Sequence, residues 1–331
     1  VEPLVHRAYD GRPVALPGDP SQVLDPDRPG FADLRDAVGK DLVTASGTTL
    51  LGADDKAGVA VLMTLAERLL GGPSAPRGPI RLCFTPDEEV GRGVDGLDLG
   101  ELNAHVAYTL DGGAPGELNW ETFSADQAVV TIRGVATHPG QARRYGMVNA
   151  VHLAGKLLSA LPREAASPEA TDGRQGFVHP VGIEGDAARC TVRLLLRDHD
   201  EENLASWRRM LRAQCRALQA GYPGARITCR MARQYRNMGL WLRERMLPVE
   251  LARAAYRACG LEPVETPIRG GTDGSRLTER GLPCPNLFCG ARNPHGPLEW
   301  VAAQDMEKAV DVLVALVRLW EERGAGSFGG P

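Results

Sequence analysis

Three short acidic segments, each set among glycines and each following an apolar run or opening a helix, constrain this 331-residue chain more than any other feature. They are Leu51-Gly52-Ala53-Asp54-Asp55-Lys56-Ala57-Gly58, Thr85-Pro86-Asp87-Glu88-Glu89-Val90-Gly91 and Leu110-Asp111-Gly112-Gly113. A late histidine joins them, His295 in Asn293-Pro294-His295-Gly296. Acids at strand ends and helix starts are what an open α/β fold uses to project ligands into a cleft. Crowded like charges there repel one another unless a cation or a shared proton relieves them. Together the four segments read as a site for two zinc ions. The acids outnumber the imidazoles, and no second histidine ligand is obvious.

Each segment also has an ordinary reading by itself. Asp54-Asp55 can cap a helix and complement its dipole. Glu88-Glu89 can be a solvated pair, Asp111 a turn residue in Asp-Gly-Gly, and His295 a surface histidine. Of the two adjacent glutamates, one can bind metal while its neighbour acts as a base, and spacing does not choose between them.

A chain of this length with 43% hydrophobic residues can bury a large core and suggests two domains. A net charge of -4 and a pI near 6.0 leave no electrostatic footprint for nucleic acid. The seven cysteines are odd in number and form no CxxC pair, which favours reduced thiols over a disulfide framework. With no membrane-length apolar run and no signal-like start, the expected location is the cytoplasm and no membrane partner is expected.

Residues 10–30, crowded with Pro, Gly and Asp, read as a surface loop. Val59, Leu62, Met63, Ala66 and Leu69 recur at helical spacing. Residues 80–85 and 106–110 read as buried strands. Beyond Phe123 the pattern becomes strand, helix, strand, helix, strand (127–133, 146–161, 188–196, 200–219 and 225–231), a compact insert. From Asn237 the alternation resumes through 247–259, 265–268, 285–289 and a closing helix over 303–322, and the Gly-rich tail from Gly324 reads as disordered. The expected architecture is α/β: a mixed sheet flanked by helices from residues 1–122 and 237–331, with an α+β lid or dimerisation domain at 123–236.

The joint text is more specific than any one segment. Residues 47–58, 84–91 and 111–118, His138-Pro139-Gly140 with Met147-Val148-Asn149-Ala150, Ile268 to Gly274, and Gly281 to Asn286 occur in an order that resembles the peptidase T branch of the dinuclear zinc exopeptidases. These are tripeptide aminopeptidases related to carboxypeptidase G and succinyl-diaminopimelate desuccinylase. The resemblance runs from about residue 5 to residue 323. It implies two zinc ions per subunit, bridged by Asp54, with Glu89 and His295 completing the first site and Asp111 binding the second. It also implies a cis Asp54-Asp55 peptide and Glu88 as general base. His138 would help stabilise the oxyanion, in a partner subunit's site of a homodimer joined through the lid, and Arg197 would hold a substrate carboxylate. Arg269, Asn237 and Thr272 would line the cleft.

The chain departs from this family at its beginning. The His-x-Asp motif that supplies the second metal's histidine has no counterpart, and His6 precedes Arg7-Ala8-Tyr9 instead. The expectation is a chain lacking roughly 80 to 90 residues of the family's catalytic domain, with the second site weak, sheet edges exposed and activity impaired. Two alternatives share much of this text: a zinc amidohydrolase acting on N-acyl amino acids, and a non-catalytic binding or dimerisation module.

Overall fold

The computed structural model describes residues 1–71 and 78–324, so most of the glycine-rich tail lies outside the described residues. The chain forms two compact units. One comprises Val1–Trp120, Trp241–Thr266 and Thr272–Pro331, the other Glu121–Leu240 with Pro267–Gly271. No helix among the described residues is long and apolar enough to cross a membrane.

In the first unit, the strands Leu4–His6, Leu42–Thr44, Trp300–Ala302 and Ala291–Arg292 make an antiparallel sheet in that order. A second sheet runs Val264–Glu265, Glu117–Asn119, Asn286–Phe288, Thr109–Gly112, with parallel pairing at both outer contacts and antiparallel pairing in the middle. The helices Ala53–Gly71, Leu247–Ala258 and Ala303–Arg323 supply Val61, Leu65, Ala252, Tyr256, Val310 and Leu313 to one core with Leu110, Leu118, Leu287 and Phe288. Burying such side chains supplies the main driving force for the fold. Tyr256 keeps its polar end satisfied by donating to the Glu117 carbonyl at 2.7 Å.

Three local expectations are corrected here. The helix after Asp54 buries Ala57, Val61 and Leu65, and Leu62 and Leu69 only pack against that core. Val59 and Met63 face outward at 44% and 55% exposure; the helix is apolar on more than one face, so periodicity alone chose the wrong stripe. Residues 80–85 are not a buried strand. They lie outside every ladder among the described residues, with Ile80, Leu82 and Phe84 exposed, because an apolar run becomes a strand only where a neighbouring edge accepts its hydrogen bonds. Residues 10–30 are not wholly a loop. Val14–Leu16 and Asp19–Leu24 form a hairpin that buries Leu16 and Leu24 completely, with Pro17-Gly18 as its turn.

The second unit is one antiparallel sheet, Arg226–Tyr235, Ser124–Arg133, Arg189–Asp198 and Phe177–Gly185 in that order. Alternation buries Ala128, Val130 and Ile132 with Val192, Leu194 and Leu196. The helices Ala150–Ser159 and Glu201–Gly221 cover that face, with Leu153, Leu157, Leu204 and Leu211 in the same core. Each begins at a side-chain cap: Asn149 accepts from the amides of Val151 and His152, Asp200 from those of Glu202 and Asn203. Phe177–Gly185 escaped the sequence reading because Pro180 and Gly182 interrupt it. They sit at an edge, where a register shift between them tolerates both.

One close approach links the folding of the first unit to the acidic segments. A Cβ on Gly58 would lie 2.5 Å from the Leu110 carbonyl oxygen and 2.5 Å from Asp55 Oδ2. Replacing it with Ala pushes the strand carrying Asp111 away from the helix behind Asp55. We expect Gly58→Ala to destabilise the protein by about 1–3 kcal/mol in equilibrium denaturation, although alanine is the better helix former; an unchanged or raised stability contradicts this account.

Candidate metal centre

A helix start, two turns and one strand end bring the acidic segments and His295 together in the first unit. Asp54 and Asp55 sit where the Ala53–Gly71 helix has not yet assumed helical geometry, at φ -85°, ψ 99° and φ -122°, ψ 40°, and the peptide between them is cis. Glu88 and Glu89 open a single 3-10 turn, Glu88–Val90, flanked by left-handed residues, Asp87 at φ 63° and Gly91 at φ 68°. Such a reversal suits glycine and costs aspartate little. Asp111 is the third residue of the Thr109–Gly112 strand. His295, at φ 65°, lies in the turn between the Ala291–Arg292 and Trp300–Ala302 strands.

His295 Nε2 lies 3.2 Å from Asp54 Oδ2 and 3.1 Å from Glu89 Oε2. One candidate ligand atom from each of Asp54, Glu89 and His295 falls within 4.8 Å of the others, and the same holds for Asp54, Asp55 and Asp111. Asp54 belongs to both groups. The structure therefore brings together Asp54, Glu89, His295 and Asp111, and adds Asp55 to the second group.

The electrostatics show what such a gathering needs. Burial pushes the Glu88 carboxyl up to about 7, and Asp273, Glu89 and Asp54 add to the rise while His295 opposes it. Burial also carries Asp55 up to about 7, reinforced by Asp54 and Glu88 and opposed by the Gly58 N–H and the Cys289 thiol. Asp111 is driven well above the usual carboxylate range by burial and by Glu88, Asp54 and Asp55. Burial acts to lower His295, but Glu89 and Asp54 outweigh it and its pKa rises. All four shifts favour added positive charge, whether protons or a divalent cation. An imidazole with carboxylates suits zinc, and carboxylates alone suit harder cations. The residues present fit a divalent metal, better in the His295 group than in the other, which contains no imidazole.

Three supporting residues hold the centre from outside it in roles the sequence does not mark. Asn286, fully buried, accepts from the Asp111 N–H at 3.0 Å and donates to the Asp111 carbonyl at 3.1 Å, gripping that residue's backbone from both sides. It ends the Gly281 to Asn286 segment that carries the resemblance, but nothing in the sequence marks it as gripping Asp111. Glu299, at 1% exposure, accepts from the Gly52 and Asp54 amides. Its only mark in the sequence is its position four residues after His295. Asp273, buried and accepting from Thr85 Oγ1 at 2.8 Å, anchors the segment leading to Glu88.

The other expected site residues, Thr272 excepted, belong to the second unit. His138 is exposed, and its Nδ1 accepts from the Gly140 N–H at 3.2 Å. Arg197 is buried at 9% exposure, donating to the carbonyls of Asp126 and Leu196 under the Tyr235 ring. Arg269 donates to Thr171, Gly173 and Gln175 and lies over the Phe123 and Phe177 rings. Asn237, at 1% exposure, accepts from the Thr122 and Gly239 amides and donates to the His199 carbonyl, so most of its hydrogen-bonding capacity is committed to backbone. Thr272, in the first unit, caps the helix Asp273–Glu279.

Residues 50–319 match peptidase family M20/M25/M40. The chain is 42% identical over 323 residues to peptidase T of Lactobacillus helveticus, spanning 98% of this chain and 77% of that protein. It is 43% identical over 327 residues to peptidase T of Bacillus licheniformis, spanning 98% and 78%. Among solved structures, a tripeptidase from Staphylococcus aureus shares the fold with a TM-score of 0.75 at 20% identity, over 86% of this chain and 74% of that one. The aminopeptidase PepT from Bacillus cereus does so with a TM-score of 0.72 at 23% identity, over 84% and 74%. The chain, with its two acid groups meeting at Asp54, belongs to peptidase family M20/M25/M40 and is a peptidase.

Proposed function

We propose that this peptidase is a tripeptide aminopeptidase whose centre holds two zinc ions, one at Asp54, Glu89 and His295 and one at Asp54 and Asp111 with Asp55 beside it. The observation that carries the reading is that Asp54 belongs to both ligand groups, the position a bridging carboxylate needs. The extensive identity to peptidase T relatives supports the substrate class. Zinc, when bound, polarises a carbonyl oxygen and makes water a stronger acid.

Within that centre Glu88 is the general base. Its neighbour Glu89 is the glutamate that approaches His295, which leaves Glu88 for proton transfer. Glu88 would take a proton from the attacking water and return it to the leaving amine; without metal, burial and the neighbouring acids hold it near 7, and a bound cation would favour its ionised, proton-accepting form. His138, exposed, is proposed for the oxyanion in a partner subunit's site and Arg197 for the peptide carboxylate, while Arg269 and Asn237, committed to backbone, would act by holding the loops of the second unit. The protein acts as a homodimer through the second unit, whose edge strand exposes Val181 and Ile183 at 46% and 50%. Seven free thiols fit a cytoplasmic setting.

Tripeptides with a free amino terminus should lose their first residue, and N-acyl amino acids should resist; the opposite preference overturns the substrate assignment. Glu88→Gln is expected to lower kcat about 10²–10⁴-fold with metal content unchanged and KM little altered. Loss of metal together with activity would instead place Glu88 among the ligands.

Metal stoichiometry and pH give a separate check. Zinc titration of the metal-free chain should show one tight site and one much weaker, because only the first group contains an imidazole; two equal sites contradict the assignment. For Glu88 and Asp55 the folded pKa lies near 7, above the ordinary carboxyl value of about 4. The folded state therefore retains protons that the unfolded chain has released. This stability is complete at acidic pH and is lost as pH rises through 7. Metal-free protein should melt at a lower temperature at pH 8 than at pH 5.5, and zinc should raise the melting point more at pH 8.

A further inference from the structure

We infer that Glu299 is a positioning residue for the metal centre, acting through the backbone that presents Asp54. The inference rests on the reading of Asp54, Glu89 and His295 as ligands. Glu299 is 1% exposed, yet it has no cationic side chain within ion-pairing distance among the described residues. Its two oxygens are spent on two backbone amides of one short segment. Oε2 accepts from Gly52 at 2.5 Å and Oε1 from Asp54 at 2.8 Å. A carboxylate withdrawn from water needs strong compensation, and two charge-assisted hydrogen bonds supply part of it.

The geometry of that clamp is specific. Gly52 adopts φ 70°, which turns the chain so that its amide and that of Asp54, two residues on, reach one carboxylate. Glu299 closes the turn that carries His295, its own N–H donating to the Gly296 carbonyl at 3.1 Å, and it directly precedes the strand Trp300–Ala302. A four-residue turn and one buried side chain thus tie the His295 loop to the Asp54 loop, which are 241 residues apart in sequence. Neither loop carries its own long-range ladder at the ligand position. The register between the two ligands is set by this clamp, and a group that orients a metal-binding carboxylate in this way typically contributes about 10–100-fold in metal affinity.

Glu299→Gln tests this with almost no change in volume. The amide keeps one acceptor and turns an NH2 group toward a backbone N–H, so one amide loses its partner. In metal-free protein, hydrogen exchange at Gly52 or Asp54 should accelerate while the Trp300–Ala302 strand stays protected. Titration with Co²⁺ alone should show affinity about 10–100-fold weaker, and excess metal should restore most of kcat with KM little altered. Asp305→Asn is the comparison. Asp305 is 4% exposed and bonded to Lys40 at 2.7 Å, so its loss should lower the melting temperature and leave Co²⁺ affinity unchanged.

If Glu299→Gln lowers only the melting temperature, with wild-type Co²⁺ affinity in the folded fraction, the inference is overturned. Should that variant not fold, Glu299→Asp keeps the charge but is too short to span both amides, and it must show the same loss of affinity. A wild-type chain that takes up no Co²⁺ overturns the ligand assignment itself, and amide exchange then reports on the clamp alone.

Discussion

Mutual repulsion among Asp54, Asp55, Glu88, Glu89 and Asp111 is the constraint around which the first unit is arranged. Left in water these carboxylates would spread apart, and no backbone preference would gather them. The fold holds them in place and withdraws them from water: burial first, and their mutual repulsion second, carry Glu88 and Asp55 up to about 7 and Asp111 well above the usual carboxylate range. A structure that maintains such groups against their own charge spends stability on the site. Positive charge bound there would offset that expense, which would link metal binding to folding in this unit.

The side chains meeting this cost act mostly on backbone. Asn286 grips Asp111 by both its N–H and its carbonyl, Glu299 collects the amides ahead of the Ala53–Gly71 helix, and Asp273 takes the hydroxyl of Thr85. Each is buried, and each stands just outside the residues that could touch a metal. Fixing the main chain leaves the carboxylate oxygens of Asp54, Glu89 and Asp111 free for a ligand while removing the torsional freedom that would let them separate. Gly58 serves the same end by absence, since any side chain there would force apart Asp55 and the strand bearing Asp111.

What the sequence revealed follows from this division. Asp54, Glu88, Glu89, Asp111 and His295 were legible because acids among glycines after apolar runs are unusual and because their order matches a family. Asp55 was visible but read as a bystander; only the turn at the helix start brings its carboxylate into the second group. The roles of Asn286 and Glu299 were illegible, even though Asn286 ends a segment that carries the resemblance, because a buried polar residue gripping distant backbone has no local pattern. Secondary structure failed for a related reason. Residues 80–85 have strand composition but no neighbour among the described residues to pair with, and Phe177–Gly185 is a strand despite Pro180 because an edge with a register shift accepts it. Pairing partners decide both cases, and a linear text does not contain them.

The two ligand groups are unequal, and that inequality bears on how the centre fills. The His295 group is the more open, its imidazole side chain 66% exposed and already between Asp54 and Glu89. Glu89 and Asp54 outweigh the effect of burial on the ring and raise its pKa, so the same acids that would favour a cation there also favour the protonated imidazole. A cation held there would have a nitrogen donor and two carboxylates within reach. The Asp55–Asp111 group offers oxygen alone, and burial has already favoured its protonated form. A cation held at Asp54 would favour the ionised forms of both Asp111 and Glu88 by its charge. Asp54, common to both candidate groups, would in that way couple the oxygen-only group and the Glu88 carboxylate to the charge held beside His295.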